Sequence, residues 1–441
     1  MRAAWAMIAP RRVLGYLGGG MGKGAAGLAL LTVVSSVVSY AGTMALSRLL
    51  KPTGFGDLMS LLALGIIIAV PAVAVQTVVA SRIAHWQERG TEEDVARFIR
   101  HAFAHMLVIG AAVTITYVLC IPLVVEGFAL QAPGPAIALA PLVGLSFLFA
   151  LLSGVLQGKS RFVALGGLIL VVTVMRFGVG VAWAAVGGGA GGAIAGQSLG
   201  VALVSLVVLW WMRDLVAGSG TGAATAGLRR LPDVRTLSAS TGFLSIAVLS
   251  TLDLVLAKGF MPPVQAGLYA ALSVIGKAVL FLPIALSQVV VPPAVSAETQ
   301  ARAGNAVLRR TAVPITLSCV VIGLPLIMAP TFSMSLLFGQ AYAAAGPGVL
   351  PMVLAATAFS LLFLTLTMTV AIGDQRWALL LIPGIALQIG GIWLFHGSAS
   401  QVAWVQACVI TSLLIVNEIG FYPLLLRAPW LGPRRRGALA R

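Results

Sequence analysis

Charged side chains are scarce in this sequence. Asp, Glu, Lys and Arg together make up 9% of its 441 residues, whereas they make up roughly 25% of a soluble globular domain. Hydrophobic residues make up 59%, and the mean hydropathy is +1.03. This composition excludes an ordinary soluble protein and indicates an integral membrane protein.

Cysteines and metal ligands are also few. The three cysteines all lie in apolar runs and form no CxxC motif, which argues against a disulfide framework and a redox site. His101 and His105 are one helical turn apart, but no Cys, Asp or Glu at a compatible spacing completes a metal site. Gly276-Lys277 lacks the upstream glycine and the following Ser or Thr of a phosphate-binding loop. We therefore expect no metal, no cofactor and no enzymatic activity.

Long apolar stretches recur along the whole chain. About 20 residues cross the hydrocarbon core at a rise of 1.5 Å per helical residue, and twelve stretches have about this length. They are 24–47, 57–80, 102–125, 136–157, 162–186, 190–212, 239–257, 268–296, 310–335, 346–371, 377–396 and 399–424. The sequence therefore predicts an all-α membrane protein with twelve spans.

Basic residues outnumber acidic ones, 28 to 12. In a twelve-span arrangement most of them lie on the side of the N-terminus, and only Arg48, Lys51 and Lys258 lie on the other side. The positive-inside rule then places both termini and all the large loops in the cytoplasm. Because the charges are scattered over separate loops, nucleic-acid binding is not expected. The RRR segment at 434–436 suits either attraction to anionic membrane lipids or the same topological bias.

The two halves of the chain contain related segments. PTGFGDLMSLLALGIIIAVPAVAVQ (52–76) aligns with PVQAGLYAALSVIGKAVLFLPIALSQ (263–288) when one residue is inserted. Six spans separate the two copies, so both enter the membrane in the same direction, and this predicts two six-helix bundles related by a parallel repeat. Pro71 and Pro283 interrupt the second span of each copy and are the candidate hinges.

The repeat predicts four parts along the chain. They are an N-terminal bundle (1–212), a cytoplasmic linker (213–238), a C-terminal bundle (239–426) and a basic cytoplasmic tail (427–441). Proline-interrupted spans at matching positions in two halves are typical of a transporter with its site between the halves.

Three segments occur in the order typical of one transporter family: SYAGTMALSRLLKPTGFGDLMSLLAL (39–64), DLVLAKGFMPPVQAGLYAALSVIGKAVLFLPIALSQVVVPPAVSA (253–297) and LFGQAYAAAGPGVLPMV (337–353). Over most of its length the chain resembles the polysaccharide biosynthesis proteins, the oligosaccharide flippases of the multidrug/oligosaccharidyl-lipid/polysaccharide exporter superfamily. The resemblance rests on Arg48, Phe55-Gly56, Asp253, Gly267 to Tyr269, and Leu337 to Tyr342. It implies a central cavity and movement of undecaprenyl-pyrophosphate-linked sugars to the outer leaflet. The twelve spans fit less well with lipid II flippases, which resemble a fourteen-span arrangement.

Two cations lie deep within predicted spans. Lys277 and Arg176 are at similar depths near the bilayer centre, where a charge costs about 2.5 to 3.5 kcal/mol on insertion scales. Both should therefore face a polar cavity, and together they suit a pyrophosphate headgroup. Alternatively, each pairs with an internal carboxylate. Arg48, at the outer end of the first span, either adds a third positive charge or extends to the interface.

Asp253 and Glu418 are the two acidic residues inside predicted spans. Each is a candidate for taking up a proton or a sodium ion during transport, or for neutralising a neighbouring cation. They lie at different depths, so we do not expect them to be partners.

These observations favour a flippase that works by alternating access on a lipid-linked oligosaccharide, with membrane lipids and the polysaccharide polymerase machinery as further partners. An ion-coupled multidrug exporter of the same superfamily is the first alternative, although a cationic interior argues against cationic drugs. A membrane-embedded glycosyltransferase or polymerase is the second. Such enzymes need large outward loops or a soluble catalytic domain, and the outward loops here are short.

The predicted topology can be tested by cysteine labelling. In a cysteine-free background, Gly189→Cys and Ala343→Cys should react with a membrane-impermeant maleimide from outside. Gly218→Cys and Ala438→Cys should react only after permeabilisation. Reversed labelling of either pair would contradict the orientation.

Overall fold

The computed structural model describes residues 20–89, 92–211, 234–297, 303–371, 375 and 377–421, and nearly all of them are helical. The helices are α1 (Gly20–Arg89), α2 (Glu92–Gly127), α3 (Gly134–Gly158), α4 (Phe162–Trp183), α5 (Gly189–Trp211), α6 (Val234–Phe260), α7 (Pro263–Ala297), α8 (Ala303–Met328), α9 (Pro330–Phe338), α10 (Val349–Ala371), α11 (Trp377–Leu394) and α12 (Ala399–Val416). Short π-helical turns follow α4 (Ala184–Gly188) and α12 (Asn417–Phe421), and a 3₁₀ helix (Gln340–Gly348) precedes α10. The predicted linker beyond its last five residues and the predicted tail lie outside the described residues.

Membrane-spanning segments account for most of this structure. Within the described residues, nine helical segments are long and apolar enough to cross a membrane, and two of them, 26–87 and 162–210, are long enough to cross twice. These segments correspond to eleven of the predicted spans. Helix α6 corresponds to the remaining one, the seventh predicted span. The predicted all-α fold is therefore confirmed.

The first two predicted spans are the two arms of α1, which is broken at Lys51 (φ 56°, ψ 174°). A methyl group at Gly27, in the first arm, would lie 3.0 Å from the Val163 side chain. One at Gly158 would lie 2.8 Å from Ile83 in the second arm. Because 158 and 163 flank the same short turn, both arms run from Lys51 to the same end of the bundle. We call this end, with the turn 159–161, the basic end.

The ninth predicted span, 310–335, is wrong in its extent. Helix α8 ends at Met328, Ala329 leaves the helical region (φ −135°, ψ 65°), and Pro330 begins the short helix α9. A proline disfavours the α conformation in the residue before it. Apart from Arg310 the stretch carries no charge, so hydropathy alone did not reveal the break.

The same helix pairs pack in both halves, as the internal repeat predicts. The second arm of α1 packs on α3 as α7 packs on α10, and the first arm packs on α4 as α6 packs on α11. Likewise α2–α3, α3–α5 and α4–α5 correspond to α8–α10, α10–α12 and α11–α12. Two bundles with one packing scheme therefore make up the fold.

The two bundles meet at the end opposite the basic end. One hydrophobic cluster contains residues of both halves, including Phe55 and Leu58 from α1 and Tyr269 and Leu272 from α7. Towards the basic end each half has its own cluster: residues 72–204 supply one and residues 246–413 the other. The halves therefore share a core at one end, which we call the closed end, and have separate cores at the other.

Two glycines that the repeat aligns touch each other at the closed end. A methyl group at Gly56 would lie 3.0 Å from the backbone nitrogen of Gly267, and one at Gly267 would overlap the carbonyl oxygen of Pro52. Equivalent residues of a two-fold repeat contact each other only on the symmetry axis. The pseudo-two-fold axis therefore passes between Gly56 and Gly267.

A side chain added at the Gly56–Gly267 contact should push the two halves apart. Gly267→Ala should lower the melting temperature of the detergent-solubilised protein, because overpacking a tight contact costs about 1 to 3 kcal/mol. Gly390→Ala is the matched control, since a methyl group there meets nothing within 4 Å. Equal melting temperatures for both variants would contradict a tight contact at Gly267.

Candidate functional site

Aromatic rings from both halves seal the closed end. The ring of Phe55, which follows the break in α1, lies 6.0 Å from that of Tyr342 and 6.4 Å from that of Phe338, centroid to centroid. All three side chains are buried. The Tyr342 hydroxyl donates to the carbonyl oxygen of Ser47 at 3.0 Å, and the Arg48 guanidinium donates to the carbonyl oxygen of Leu336. Side chains of each half thus bind the other half's backbone or rings.

An ion pair joins the halves beside this cluster. Lys258, in the last turn of α6, lies 2.6 Å from the carboxylate of Asp57 in α1, and the two side chains are 2% and 15% exposed. Removing one partner of a buried pair costs about 3 to 5 kcal/mol, because the other charge is left uncompensated. Because its partners belong to different halves, the pair has to separate whenever the closed end opens.

Sequence reasoning missed this pair. Lys258 was assigned only to the outer surface, and Asp57 was assigned no role. One signal was present: each residue lies within a few positions of the helix end that the repeat places at the same membrane face. Sequence spacing did not show that the two helices come from different halves and meet there.

The interior cations can be placed relative to the Gly56–Gly267 contact. Gly65 lies nine residues after Gly56 in the second arm of α1, and Lys277 lies ten residues after Gly267 in α7. At 1.5 Å per residue, both positions are roughly 14 Å from the closed-end contact, measured towards the basic end. Lys277 and Gly65 therefore lie at the same depth in the bundle.

Contacts within the N-terminal half extend this level to Arg176. A methyl group at Gly65 would lie 3.1 Å from Leu139 of α3, and Ser198 of α5 donates to the carbonyl oxygen of the residue before Leu139 at 3.0 Å. The neighbour of Ser198, Gln197, accepts a 2.6 Å hydrogen bond from Arg176 Nε. Arg176 and Lys277 thus lie at one level, in different halves of the bundle.

Lys277 shares the C-terminal half with Asp253. Both residues are in helices that line the junction between the halves, α7 and α6, and their charges are near enough to influence each other. Asp253 is 6% exposed, and its Oδ2 accepts a 2.7 Å hydrogen bond from the Tyr269 hydroxyl. A carboxylate is therefore within electrostatic range of Lys277, and whether the two form a pair stays a prediction.

Two other candidate residues lie away from this level. Glu418 is in the π-helical turn after α12, near the basic end, and is 4% exposed. Arg48 is exposed at the closed end, where it binds the Leu336 carbonyl group. The structure therefore does not bring Arg48 or Glu418 together with Lys277.

The candidate hinges lie in continuous helices. Pro71 is in the second arm of α1, and position 283 is within α7. No break comparable to that at Lys51 occurs at either position among the described residues. Their role as hinges stays a prediction.

No family model and no curated protein matches the sequence. Solved structures do. The chain is similar to the lipid II flippase MurJ in an inward closed conformation (11% identity over 89% of this chain and 86% of that one, TM-score 0.68). It is also similar to an outward-facing multidrug resistance MATE transporter of the MOP superfamily (16%, 92% and 95%, 0.60) and to a MATE in complex with MaL6 (14%, 92% and 96%, 0.60). At these identities the likeness shows the fold alone, which this chain shares with these solved structures.

The Asp57–Lys258 pair should control access to the closed end. In a cysteine-free background, Ser60→Cys should be unreactive towards a soluble maleimide, because Ser60 is 1% exposed one turn from Asp57. Adding Lys258→Met should make this cysteine reactive, since it leaves the carboxylate uncompensated.

A charge reversal tests whether the protection of Ser60→Cys depends on the ion pair itself or on other charges nearby. Asp57→Lys combined with Lys258→Asp should restore protection, and Lys51→Met, which removes an exposed cation at the same end, should not change it. Unchanged protection in the Lys258→Met variant would show that the pair does not hold the halves together.

Proposed function

We propose that the protein transports a lipid-linked oligosaccharide from the inner to the outer leaflet of a bacterial cytoplasmic membrane. The observation that carries this proposal is the common depth of Arg176 and Lys277 in opposite halves of a bundle with a transporter fold. A pyrophosphate group is about 5 to 6 Å long and doubly or triply charged, and it suits two cations facing each other across a gap. The guanidinium supplies paired N–H donors and the ammonium a compact charge.

The direction of transport follows from the positive-inside assignment. With the basic end in the cytoplasm, the closed end faces outward, and the conformation described here would admit substrate from the inner leaflet. Alternating access then requires the aromatic cluster and the Asp57–Lys258 pair to separate while the two basic-end cores approach each other. We propose that Pro71 and Pro283 permit this bending.

Asp253 has a coupling role in the same proposal. While the site is free of substrate, Lys277 is neutralised by Asp253; when a headgroup binds Lys277, the carboxylate is released to take up a proton or a sodium ion. Glu418 is a second candidate for coupling, at the basic end. The polymerase machinery that uses the exported sugar is a proposed partner.

A second candidate function is export of cationic drugs, and one observation favours it. Asp253 Oδ1 is buried and has no hydrogen-bond partner among the described residues, so this carboxylate could bind a cation. The solved MATE structures also share the fold, at TM-scores of 0.60. The two functions predict opposite charge preferences for the substrate.

Transport by charge-removal variants distinguishes them. In proteoliposomes, a short-chain polyprenyl-pyrophosphate oligosaccharide should cross to the far leaflet with the wild-type protein, and Arg176→Ala and Lys277→Ala should each reduce the rate at least about tenfold, because a charge-assisted hydrogen bond to an anion is lost. Arg161→Ala, which removes an exposed cation at the basic end, is the control.

A structural lysine would behave differently. If Lys277 only neutralises Asp253, Lys277→Ala should lower the yield of folded protein, and Lys277→Ala with Asp253→Ala should restore both folding and transport. Normal transport by this double variant, or efflux of a cationic dye that Asp253→Asn abolishes, would overturn the headgroup proposal.

A further inference from the structure

Gln197 is a fully buried amide with one half of its hydrogen-bonding capacity unused. Its exposure is 0%, and its Oε1 accepts the 2.6 Å hydrogen bond from Arg176 Nε. Its Nε2 has no partner among the described residues. A buried donor without an acceptor costs about 1 to 3 kcal/mol, so such groups are rare in folded proteins unless a ligand or another partner completes them.

Glycines fix the position of this amide relative to Arg176. A methyl group at Gly196 would lie 2.7 Å from the Val179 carbonyl oxygen, and one at Gly200 would lie 2.5 Å from the Met175 carbonyl oxygen. The backbones of α4 and α5 are therefore in direct contact on both sides of the hydrogen bond. Small residues at such a crossing are typical of closely packed membrane helices.

The donors that remain at this crossing all suit an anion. Arg176 uses Nε on Gln197, which leaves its two terminal nitrogens, and Gln197 adds an unpartnered N–H₂ group beside them. In the part of the chain that the structure describes, Arg176 forms no ion pair with a carboxylate. Arg176 is only partly buried, so an anion can reach its side chain.

We infer that Gln197 is a specificity-determining residue of the headgroup site. It orients Arg176 through Oε1 and donates from Nε2 to an oxygen of the diphosphate. This inference rests on the proposed function and adds to it a site that recognises the phosphate oxygens by hydrogen bonds as well as by charge. A site with a donor that must be satisfied discriminates strongly against ligands without the matching acceptor.

The variant Gln197→Met separates recognition from packing. A methionine keeps the approximate volume of the side chain and leaves the charge of Arg176 unchanged, but it removes the amide. If Gln197 only holds α4 against α5, this variant should be folded and should bind as the wild type does. If Gln197 belongs to the headgroup site, this variant should be folded and bind more weakly, and Gln197→Glu, which also neutralises the guanidinium, should bind no better.

The probe is farnesyl diphosphate, with farnesyl phosphate and farnesol for comparison, titrated calorimetrically into the full-length protein in detergent. We expect the wild type to bind the diphosphate more tightly than the monophosphate and farnesol least. Gln197→Glu should weaken diphosphate binding by about 10- to 100-fold, the range for a lost hydrogen bond to a charged group. Gln197→Met, which removes both functions of the amide, should weaken it similarly.

The control is Gln157→Glu, which introduces the same charge in the same half at an exposed residue far from Arg176. Unchanged diphosphate affinity in a monodisperse Gln197→Met protein would overturn the role of Gln197 while the headgroup proposal stands. Absence of diphosphate binding by the wild type, with no effect of Arg176→Ala on transport, would instead overturn the proposed function. Equal affinity for all three probes would show that the prenyl chain alone is recognised, which also contradicts the inference.

Discussion

The contact between Gly56 and Gly267 is the constraint on which the rest of the structure depends. Without side chains, two helix N-termini from different halves approach until their backbones touch. This approach brings Asp57 within 2.6 Å of Lys258. It also sets the depth of everything below it, because each helix descends from this point at a fixed rise per residue. The closed end and the interior cations are thus parts of one geometric arrangement.

The segments that carry the family resemblance lie together at this contact, although they are distant in sequence. Arg48 and Phe55 in one segment meet the LFG-x-x-Y segment that contains Phe338 and Tyr342. The Gly-Leu-Tyr entry to α7 supplies the glycine of the axis and the tyrosine that binds Asp253. These patterns are loose in sequence because each requires only a ring, a small residue or a donor at one place. Their shared location explains why they occur together: all of them form the contact between the two halves.

Hydropathy and the repeat predicted the fold, since spans and their order are local properties of the chain. The equal depth of Arg176 and Lys277 was also predictable, because it follows from counting residues along helices. Hydropathy missed the break at Ala329, since no charged residue marks it, and Pro330 was the local signal for it. The partners of the interior charges were not predictable either: Gln197 and Lys258 are selected by which helix faces cross, and twelve helices allow many crossings that hydropathy cannot distinguish.

The internal repeat relates the helices of the two halves, but it does not relate the interior charges Arg176 and Lys277. At the offset of 212 residues that aligns Pro71 with Pro283, Arg176 corresponds to Gln388, which is fully buried and donates to the Leu249 carbonyl oxygen at 3.2 Å. The matching helices α4 and α11 thus both carry a buried or half-buried polar side chain, although Arg176 binds α5 and Gln388 binds α6, and the packing of α11 does not require a charge. A buried charge has an insertion cost that a neutral amide largely avoids. The positions of Arg176 in one half and of Lys277 on a different helix of the other half are therefore best explained by a ligand that lacks two-fold symmetry.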